Sequence, residues 1–321
     1  MWTLLPQNTY FPLARGRYDI SPGLRRLGTD FGQGKTDHHI FQFDDRFHGY
    51  RKVKLSGQRE DPDKYHVQHG FTPALRSAVT GFLVDRLCRE APEWFSCTRT
   101  RNGCRLECRL SEEVLISDPD FALGETQGTT REYRDGFDAL ALQLQEDLAV
   151  LRLDERGRDL VCALHLSFPN FWSAADKIGK SFVAIHEPVP GMDSVNRHAP
   201  QLVDAMIHKG PFVRFAWGIT TDDQLDHHPE NGSSPATGRS FDPDRPELWL
   251  RVERQVMTGL PGQQAALFTI RTYLYPVADL IRDPARRRAL LSALRSLSPD
   301  TLTYKGLADS LPAILDWLES R

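Results

Sequence analysis

Between residues 148 and 276 the chain consists largely of short alternating apolar and polar segments, and this feature restricts the fold more than any other. LAVLRL (148–153) and DLVCALHLSF (159–168) flank the polar turn DERGR, as the two strands of a β-hairpin do. Three more segments alternate in the same way, namely FVRFAWGIT, LWLRVERQVM and AALFTIRTYLYPV, the last two joined around LPGQQ. Strands that follow one another closely in sequence pair mostly with each other, so the pattern predicts an antiparallel sheet in an α+β fold rather than a doubly wound parallel sheet.

Helical spacing of apolar residues surrounds these strands. It predicts a helix from Pro73 to about Glu90, an amphipathic helix over 133–148, and a short helix from Ser173 through Lys177. Further helices are predicted in PQLVDAMIHKG and twice at the C-terminus, in VADLIRDPARRRALLSALRSL and LADSLPAILDWLES. CRLECRLSEEVLI has the rhythm of a strand, whereas residues 1 to about 70 are irregular and are expected to lie over the core.

Charge and composition restrict the partners of the chain. Lys and Arg number 40 against 43 Asp and Glu, a net charge of −3, which disfavours nucleic acid as the main partner. No run approaches the roughly 18 apolar residues that a membrane span needs, and the N-terminus does not resemble a secretion signal. Five cysteines in 321 residues suit a reducing compartment. We therefore expect a cytoplasmic protein without a membrane partner.

Local signatures of the common cofactor sites are missing from the sequence. There is no GxGxxG after a strand, no GxxxxGK[ST], no HExxH, no GxSxG and no CxxC. The spacing of Cys97, Cys104 and Cys108 does not match a usual zinc or iron–sulfur pattern, so they are interpreted as small strand residues. Residues 222–246 have no apolar period, and a loop of this length is either a functional lid or disordered.

The most informative stretch is HLSFPNFWSAADKIGKSFVAIHEPVPG (165–191). His186 ends an apolar run and precedes Pro188 and Pro190, which fix the backbone and remove two amide donors. A histidine held in this way suits an axial metal or haem ligand. A structural histidine is the alternative, and His165, on a predicted strand, is the rival ligand.

Charged residues also lie on strands that are otherwise apolar. Arg214 and Trp217 lie on FVRFAWGIT, while Arg251, Glu253, Arg254 and Arg271 lie on the next two strands. Alternation places Arg251 and Glu253 on one face of the sheet and Arg254 on the other. These residues either form cross-strand ion pairs on a solvated face or clamp a bound carboxylate such as a haem propionate.

The order of these segments resembles one known family. FPNFW, KIGKSFVAIHEPVPG, VRFAW, LWLRVERQVMTGLP, LFTIRTYLYP and a late YKGL are similar to the α-subunit family of haem-dependent oxidative N-demethylases. YRKVKL, DKYHV and QEDLAVL are weaker echoes upstream, so the resemblance covers roughly residues 40 to 310.

The resemblance implies a PAS-like fold that binds haem b and oxidises a small secondary amine with O₂. Electrons would come from a partner reductase carrying flavin and an iron–sulfur centre, and a folate-using subunit would accept the one-carbon product. His186 would be the proximal ligand, and Arg214, Trp217, Arg251, Arg254 and Arg271 would belong to the haem-binding set. Ala216 stands where the family usually has Asn, which makes dimethylamine a doubtful substrate.

Two parts of the chain are therefore expected. Residues 1–70 would form an N-terminal extension packed on the core, and residues 71–321 a single PAS-like haem-binding domain with C-terminal helices. A haem-based gas or redox sensor, or a haem-binding protein without turnover, is the alternative function. A protein without a cofactor, in which the histidine and arginines are structural, is a third.

Overall fold

The computed structural model describes residues 4–30, 37–232 and 239–321 of the chain. Its strands, in chain order, are β1 (Arg25–Arg26), β2 (His66–Gln68), β3 (Phe95–Thr100), β4 (Gly103–Cys108), β5 (Glu113–Ser117), β6 (Leu123–Gln127), β7 (Asp147–Leu153), β8 (Asp159–His165), β9 (Phe212–Thr220), β10 (Trp249–Leu260) and β11 (Ala265–Pro276). Its α-helices are α1 (Phe47–Glu60), α2 (Pro62–Tyr65), α3 (Pro73–Glu90), α4 (Gly136–Ala141), α5 (Phe182–His186), α6 (Asp193–Asn196), α7 (Ala199–His208), α8 (Val277–Leu280), α9 (Pro284–Arg295), α10 (Pro299–Tyr304) and α11 (Leu311–Glu319).

The predicted antiparallel sheet is confirmed. Seven strands lie in the order β1-β9-β10-β11-β7-β8-β2, and every pair in this larger sheet is antiparallel. Strands β3 to β6 form a second, smaller sheet in simple sequential order. Helices flank both sheets, and the last four of them follow β11, so the mixed α+β class and the helical C-terminal region are as expected.

The register of β10 and β11 separates the charged residues onto two faces, as alternation predicted. Arg254 lies directly opposite Arg271, while Glu253 lies opposite Thr272 and, on the other side, Ala216. The face that carries Arg254 and Arg271 is otherwise mostly apolar. At one end it joins the main hydrophobic cluster with α3 and the smaller sheet, and at the other it packs against the C-terminal helices.

Residues before 71 are structured more than their polar sequence suggests. Both edge strands of the larger sheet, β1 and β2, come from this part of the chain. The 14-residue helix α1 was missed because Lys54 interrupts the apolar spacing of its buried face. The Lys54 ammonium is fully buried and donates hydrogen bonds to the backbone carbonyls of Ala141 and Glu146. A cation satisfied in this way can occupy a core position.

Three local expectations were wrong in extent. The helix predicted over 133–148 is only the six-residue α4, because the next residues form a buried polar turn and Leu148 is taken by the alternation of β7. CRLECRLSEEVLI forms two strands, β4 and β5, joined by a turn. Ser173 caps a hydrogen-bonded turn rather than a helix, its hydroxyl accepting from the backbone of Asp176 at 3.1 Å.

The long segment 222–246 is only partly described. Residues 222–232 include a single 3-10 turn at Pro229–Asn231, and residues 233–238 lie outside the described part, so lid and disorder both stay predictions. Among the helices that the structure describes, none has the length and apolar character needed to cross a membrane.

Candidate functional site

A cavity of about 640 Å³ lies on the face of the larger sheet that carries Arg251 and Glu253. This volume falls within the range of roughly 300–1,000 Å³ found for pockets that hold small molecules and cofactors. Strands β9, β10, β11 and β7 form its floor, and the chain between residues 170 and 206 covers it. Residues 18–24 of the N-terminal part and the Tyr304–Lys305 pair close its remaining sides.

The floor of the cavity is divided into a polar half and an apolar half. On β9 and β10 it presents Arg214, Arg251, Glu253 and Gln255. On the other strands it is apolar, formed by Ala149, Leu151, Ala266, Phe268 and Ile270. Helix α5 packs over this apolar half, because Phe182 joins the cluster of Leu151 and Phe268. The cavity therefore suits a ligand with an apolar body and one anionic edge.

His186 is the last residue of α5 and lines the cavity. Its Nδ1 lies 2.7 Å from the backbone carbonyl of Phe182, and since a carbonyl only accepts, Nδ1 carries the proton. No described residue hydrogen-bonds its Nε2. Burial lowers the pKa of His186, with the Arg214 charge adding to the effect, so the ring is neutral at pH 7. A neutral imidazole with a free Nε2 is the form that ligates a metal.

Arg214 projects from the polar half of the floor. No described residue accepts a hydrogen bond from its guanidinium group, and its electrostatic partners are Glu253 and Tyr18. Burial lowers the pKa of Arg214, which shows that its charge is only partly compensated by the protein. An arginine in this state is suited to clamp a carboxylate from outside the chain.

Arg239 is a second buried cation on the wall, and a ring stack holds it there. Its guanidinium lies 4.2 Å from the centroid of Phe171, and the Phe171 ring stacks on His227 at 4.7 Å. The same group donates to the carbonyl of Lys305 and, at 3.3 Å, to the Asn170 side chain, while its Nε has no partner among the described residues. Burial lowers the pKa of Arg239 to about 10.

Phe171 adopts a left-handed backbone conformation, with φ of 64°. A bulky residue rarely takes this conformation, since it costs about 1–3 kcal/mol, and such strain concentrates at functional sites. Here it turns the Phe171 ring between Arg239 and His227.

Lys305 and Trp217 close the polar end of the cavity. The Lys305 ammonium donates to the Trp217 carbonyl at 3.0 Å and lies 5.0 Å from the ring of Tyr18. Tyr18 in turn meets the Trp217 indole edge to face at 5.6 Å. Burial lowers the pKa of Lys305 to about 8, and the nearby Arg239 charge adds to the effect.

Arg251 is fully buried and already bonded to the protein. It donates to the carbonyl of Phe168 at 2.6 Å and to that of Leu225 at 3.1 Å, and lies 3.4 Å from Glu253. Its role is therefore to fix the covering segments and to orient Glu253. The cations Arg214, Arg239, Arg251 and Lys305 line the cavity together with three carboxylates, Glu253 beside Arg251, Asp19 and Asp176.

Arg254 and Arg271 do not join the other predicted site residues, because they lie on the opposite face of the sheet. Arg254 forms a two-point ion pair with Asp37, at 2.5 and 2.9 Å, and also donates to the carbonyls of His39 and Ile40. Arg271 pairs with Asp44 at 2.7 Å and lies 4.0 Å from the Tyr50 ring centroid. Both guanidinium groups are fully buried and neither lines the cavity.

His165 also lies away from the cavity. It is completely buried, with Nε2 2.9 Å from the Asp138 carboxylate and its ring 5.3 Å from that of His66. Across residues 4–30, 37–232 and 239–321, no three His, Cys, Asp or Glu side chains are grouped to hold a bare metal ion.

The structure thus gathers His186, Arg214, Trp217 and Arg251 at one cavity and adds residues that the sequence did not single out. Arg239 was missed because it lies in the segment without apolar period. Tyr304 and Lys305 belong to YKGL, which was noted only as part of a resemblance, so a signal for them was present.

One comparison with known proteins bears on this cavity. A family model described as haem-dependent oxidative N-demethylase, alpha subunit-like, matches residues 33–315. The chain belongs to this family. The family name specifies haem and oxidative N-demethylation, and an alpha subunit implies an assembly with other subunits.

The residues of the cavity fit a haem group. Haem needs one or two axial protein ligands, since the porphyrin supplies the other four donors, and His186 offers a free Nε2. The apolar half of the floor suits the macrocycle, and the Arg214 guanidinium, which hydrogen-bonds no described residue, suits a propionate. The family match covers residues 33–315, so it includes every part of the chain that lines the cavity except residues 18–24.

Proposed function

We propose that this chain is the haem-binding subunit of an oxidative N-demethylase and that its cavity holds haem b. The observation that carries this proposal is the presence, in one amphipathic cavity, of a neutral histidine with a free Nε2 and an arginine whose guanidinium hydrogen-bonds no described residue. The family match supports it at the level of the family. A cytoplasmic location remains part of the proposal.

His186 would hold the iron of a bound haem through its Nε2. The hydrogen bond from Nδ1 to the Phe182 carbonyl fixes the tautomer and restrains the ring, as the bond made by the other ring nitrogen does in histidines that bind metals. The Phe182 ring, 4.4 Å away, limits rotation further. Haem, when bound, would supply the oxidising chemistry with O₂, and the protein would supply orientation, exclusion of water and charge.

The cation-rich end is the proposed propionate side. Arg214 and Arg239 can donate to carboxylates, and Lys305 adds a third cation, whose pKa is lowered chiefly by burial. Arg251 contributes indirectly, by holding Phe168 and Glu253 in place. Arg254 and Arg271 belong, in this proposal, to the packing of the N-terminal part.

The strand order supports a PAS-like interpretation of the larger sheet. Counted along the chain from β7 to β11, its five long strands lie in the order 3-4-5-1-2, and the helices between the second and third cover one face. A PAS domain has this arrangement. We propose that residues 71–321 form this domain and that residues 1–70 are an extension packed on it.

The substrate would be a small secondary amine. Ala216 lies on the cavity floor directly opposite Glu253, so the Asn-to-Ala departure falls where it enlarges the cavity and removes a polar group beside the carboxylate. We propose a secondary amine bulkier than dimethylamine. Electrons would come from a partner reductase with flavin and iron–sulfur groups, and a folate-using subunit would take the one-carbon product.

Absorption spectroscopy of the full chain, with haem added, tests cofactor binding. We expect a Soret band in wild type that is lost or shifted in His186→Ala. Turnover is tested separately, by formaldehyde release from a panel of secondary amines with a reductase and NADPH. Ala216→Asn should shift the preference toward the smallest amine. A Soret band without turnover on any amine would indicate a haem-binding sensor or carrier. The absence of a Soret band would contradict the enzyme and this alternative alike.

A further inference from the structure

Two cysteine sulfurs lie together in the smaller sheet. Cys97 is on β3 and Cys104 on β4, and their Sγ atoms are 2.6 Å apart. A disulfide bond measures about 2.05 Å, so the two sulfurs are within a small side-chain movement of bonding. The register places Cys97 opposite Leu106 and Arg99 opposite Cys104, so the cysteines are diagonal neighbours across an antiparallel pair.

A basic side chain accompanies this pair. The Arg99 guanidinium lies close enough to the Cys97 sulfur for the two groups to interact electrostatically, and it also pairs with Asp85 at 2.5 Å. The thiolate is the nucleophile in disulfide exchange. Cys97 is only half-buried, so a small reagent can reach it.

The other cysteines differ in their surroundings. Burial raises the pKa of Cys104 to about 12 and that of Cys88 to about 11, so both are protonated at neutral pH. Cys88, on α3, is close enough to Cys97 for their charges to interact. Cys162 is buried in β8, where its thiol donates to the Val150 carbonyl at 3.4 Å. Cys97 is thus the thiol best placed to react first.

We propose that Cys97 and Cys104 form a redox-active dithiol that a low-molecular-weight disulfide converts into an intramolecular disulfide. The Cys97 thiolate attacks one sulfur of the reagent and expels one thiolate, giving a mixed disulfide. Cys104 then loses its proton and attacks the Cys97 sulfur, which expels the second thiolate. Two protein thiols are oxidised, and the reagent is reduced to two thiols.

The dithiol is separate from the cavity. None of the five cysteines lines the cavity, and the smaller sheet packs into the main hydrophobic cluster on the opposite face of the larger sheet. The new bond would join β3 to β4 across their turn. The inference does not rest on the proposed haem function, and its tests need neither haem nor substrate.

Thiol counting and peptide mapping of the full chain test the proposal. After treatment with oxidised glutathione, alkylation under denaturing conditions should label three of the five thiols. Trypsin cuts after Arg99 and Arg101, so it separates the two cysteines, and the expected product is a pair of peptides linked between Cys97 and Cys104 that reduction releases. Five labelled thiols, or a link that involves Cys88, would overturn the proposal.

Single variants identify the attacking thiol. Cys104→Ser should accumulate glutathione on Cys97, because the second step is removed, whereas Cys97→Ser should gain no glutathione at Cys104. Cys162→Ser is the matched control and should form the disulfide as wild type does. Arg99→Gln should slow the first step several-fold. An unchanged rate in Arg99→Gln, or glutathione on Cys104 in Cys97→Ser, would contradict the assignment of Cys97 as the nucleophile.

Discussion

His186, at the end of α5, and His198, in the turn between α6 and α7, have the same local hydrogen bond in different surroundings. The Nδ1 of His198 lies 2.9 Å from the Ser194 carbonyl, four residues earlier, just as that of His186 meets the carbonyl of Phe182. Only His186 lines the cavity, and His198 is exposed. We expect His186→Ala to lose or shift the Soret band, because the free Nε2 is removed, and His198→Ala to leave it unchanged.

Spectra of both variants with added haem make this comparison, and thermal melting confirms that each is folded. A wild-type Soret band in folded His186→Ala would transfer the ligand role to another residue. His165→Ala is the next variant to measure in that case. We expect it to lose stability rather than haem, since His165 is fully buried and bonded to Asp138.

Lys305 makes carboxylate binding at the polar end depend on pH. The pKa of Lys305 is about 8 in the folded chain, below its usual value of 10.5. Between these two values the unfolded chain binds more protons than the folded chain. In the absence of a bound carboxylate, the free energy of unfolding therefore rises with pH in this range. Carboxylate binding has the opposite sign, because it needs the ammonium form. We expect haem affinity to fall about tenfold from pH 7 to pH 9.

Lys305→Arg and Lys305→Met supply the controls for this pH dependence. The arginine variant keeps its charge and should bind haem with nearly constant affinity across this range, while the methionine variant should bind weakly at both ends. Haem titrations followed at the Soret band measure all three proteins. If wild type and Lys305→Arg give parallel curves, the pH dependence belongs to another group.

Single residues show what the sequence could and could not predict about the site. His186 was found because prolines and an apolar run frame it, and alternation correctly separated Arg251 from Arg254. Alternation does not say which face of a sheet borders a cavity. The sequence therefore does not distinguish Arg254 and Arg271 from Arg214, because their partners Asp37 and Asp44 lie more than 200 residues away in the chain.

At the level of elements, the five-residue helix α5 depends on its N-terminal contacts. The Ser181 hydroxyl accepts a hydrogen bond from the Ala184 amide at 3.3 Å, and the Phe182 amide donates to the Asp159 carboxylate on β8. So short a helix has little stability of its own. We expect Ser181→Ala to lower the free energy of unfolding by about 0.5–2 kcal/mol and to weaken haem binding, since α5 carries His186.

Thr72→Ala is the matched control for this cap. Thr72 caps α3 with the same 3.3 Å bond, to the Leu75 amide, and α3 packs on the side of the sheet away from the cavity. Chemical denaturation should show a similar loss of stability in both variants, whereas haem titration should show weaker binding only in Ser181→Ala. Equal haem affinity in Ser181→Ala and wild type would mean that α5 is held by its packing alone.

Elements were predictable where one face is apolar and poorly predictable where buried positions are polar. The helix α3 and the long strands follow their periodicity closely. Helix α1 and the end of α4 do not, because Lys54, Gln143 and Glu146 are buried and bonded to backbone or side-chain partners. A single sequence does not show such long-range partners, so periodicity fails at these positions.

At the scale of the whole molecule, two buried ion pairs attach the N-terminal part to the sheet. Arg254 and Arg271 are directly opposite on adjacent strands, and their like charges are compensated by Asp37 and Asp44 from one short segment. The same N-terminal part supplies Tyr18, Ile20 and Leu24 to the cavity wall. Its attachment and the enclosure of the cavity are therefore coupled.

Asp37→Leu tests this coupling, because it removes a carboxylate that pairs with Arg254 on the face of the sheet opposite the cavity. The Arg254 charge would be left buried without its ion-pair partner, which typically costs about 3–5 kcal/mol. We expect a fall of that size in the free energy of unfolding, faster proteolysis before residue 47, and weaker haem retention as residues 18–24 loosen. Asp37→Leu combined with Arg254→Met should recover much of the stability, because no charge then remains unpaired.

The exposed pair Arg105–Glu107 is the control, since it is just as short at 2.6 Å but faces solvent. Arg105→Ala should change stability by less than about 1 kcal/mol and leave haem retention unchanged. If Asp37→Leu lost stability while retaining haem as wild type does, the N-terminal part would not be needed to enclose the cavity. Weaker haem retention in Asp37→Leu, with unchanged retention in Arg105→Ala, would instead mean that an ion pair on one face of the sheet controls a ligand bound on the other face. The N-terminal part of the chain, which reaches both faces, would transmit this effect.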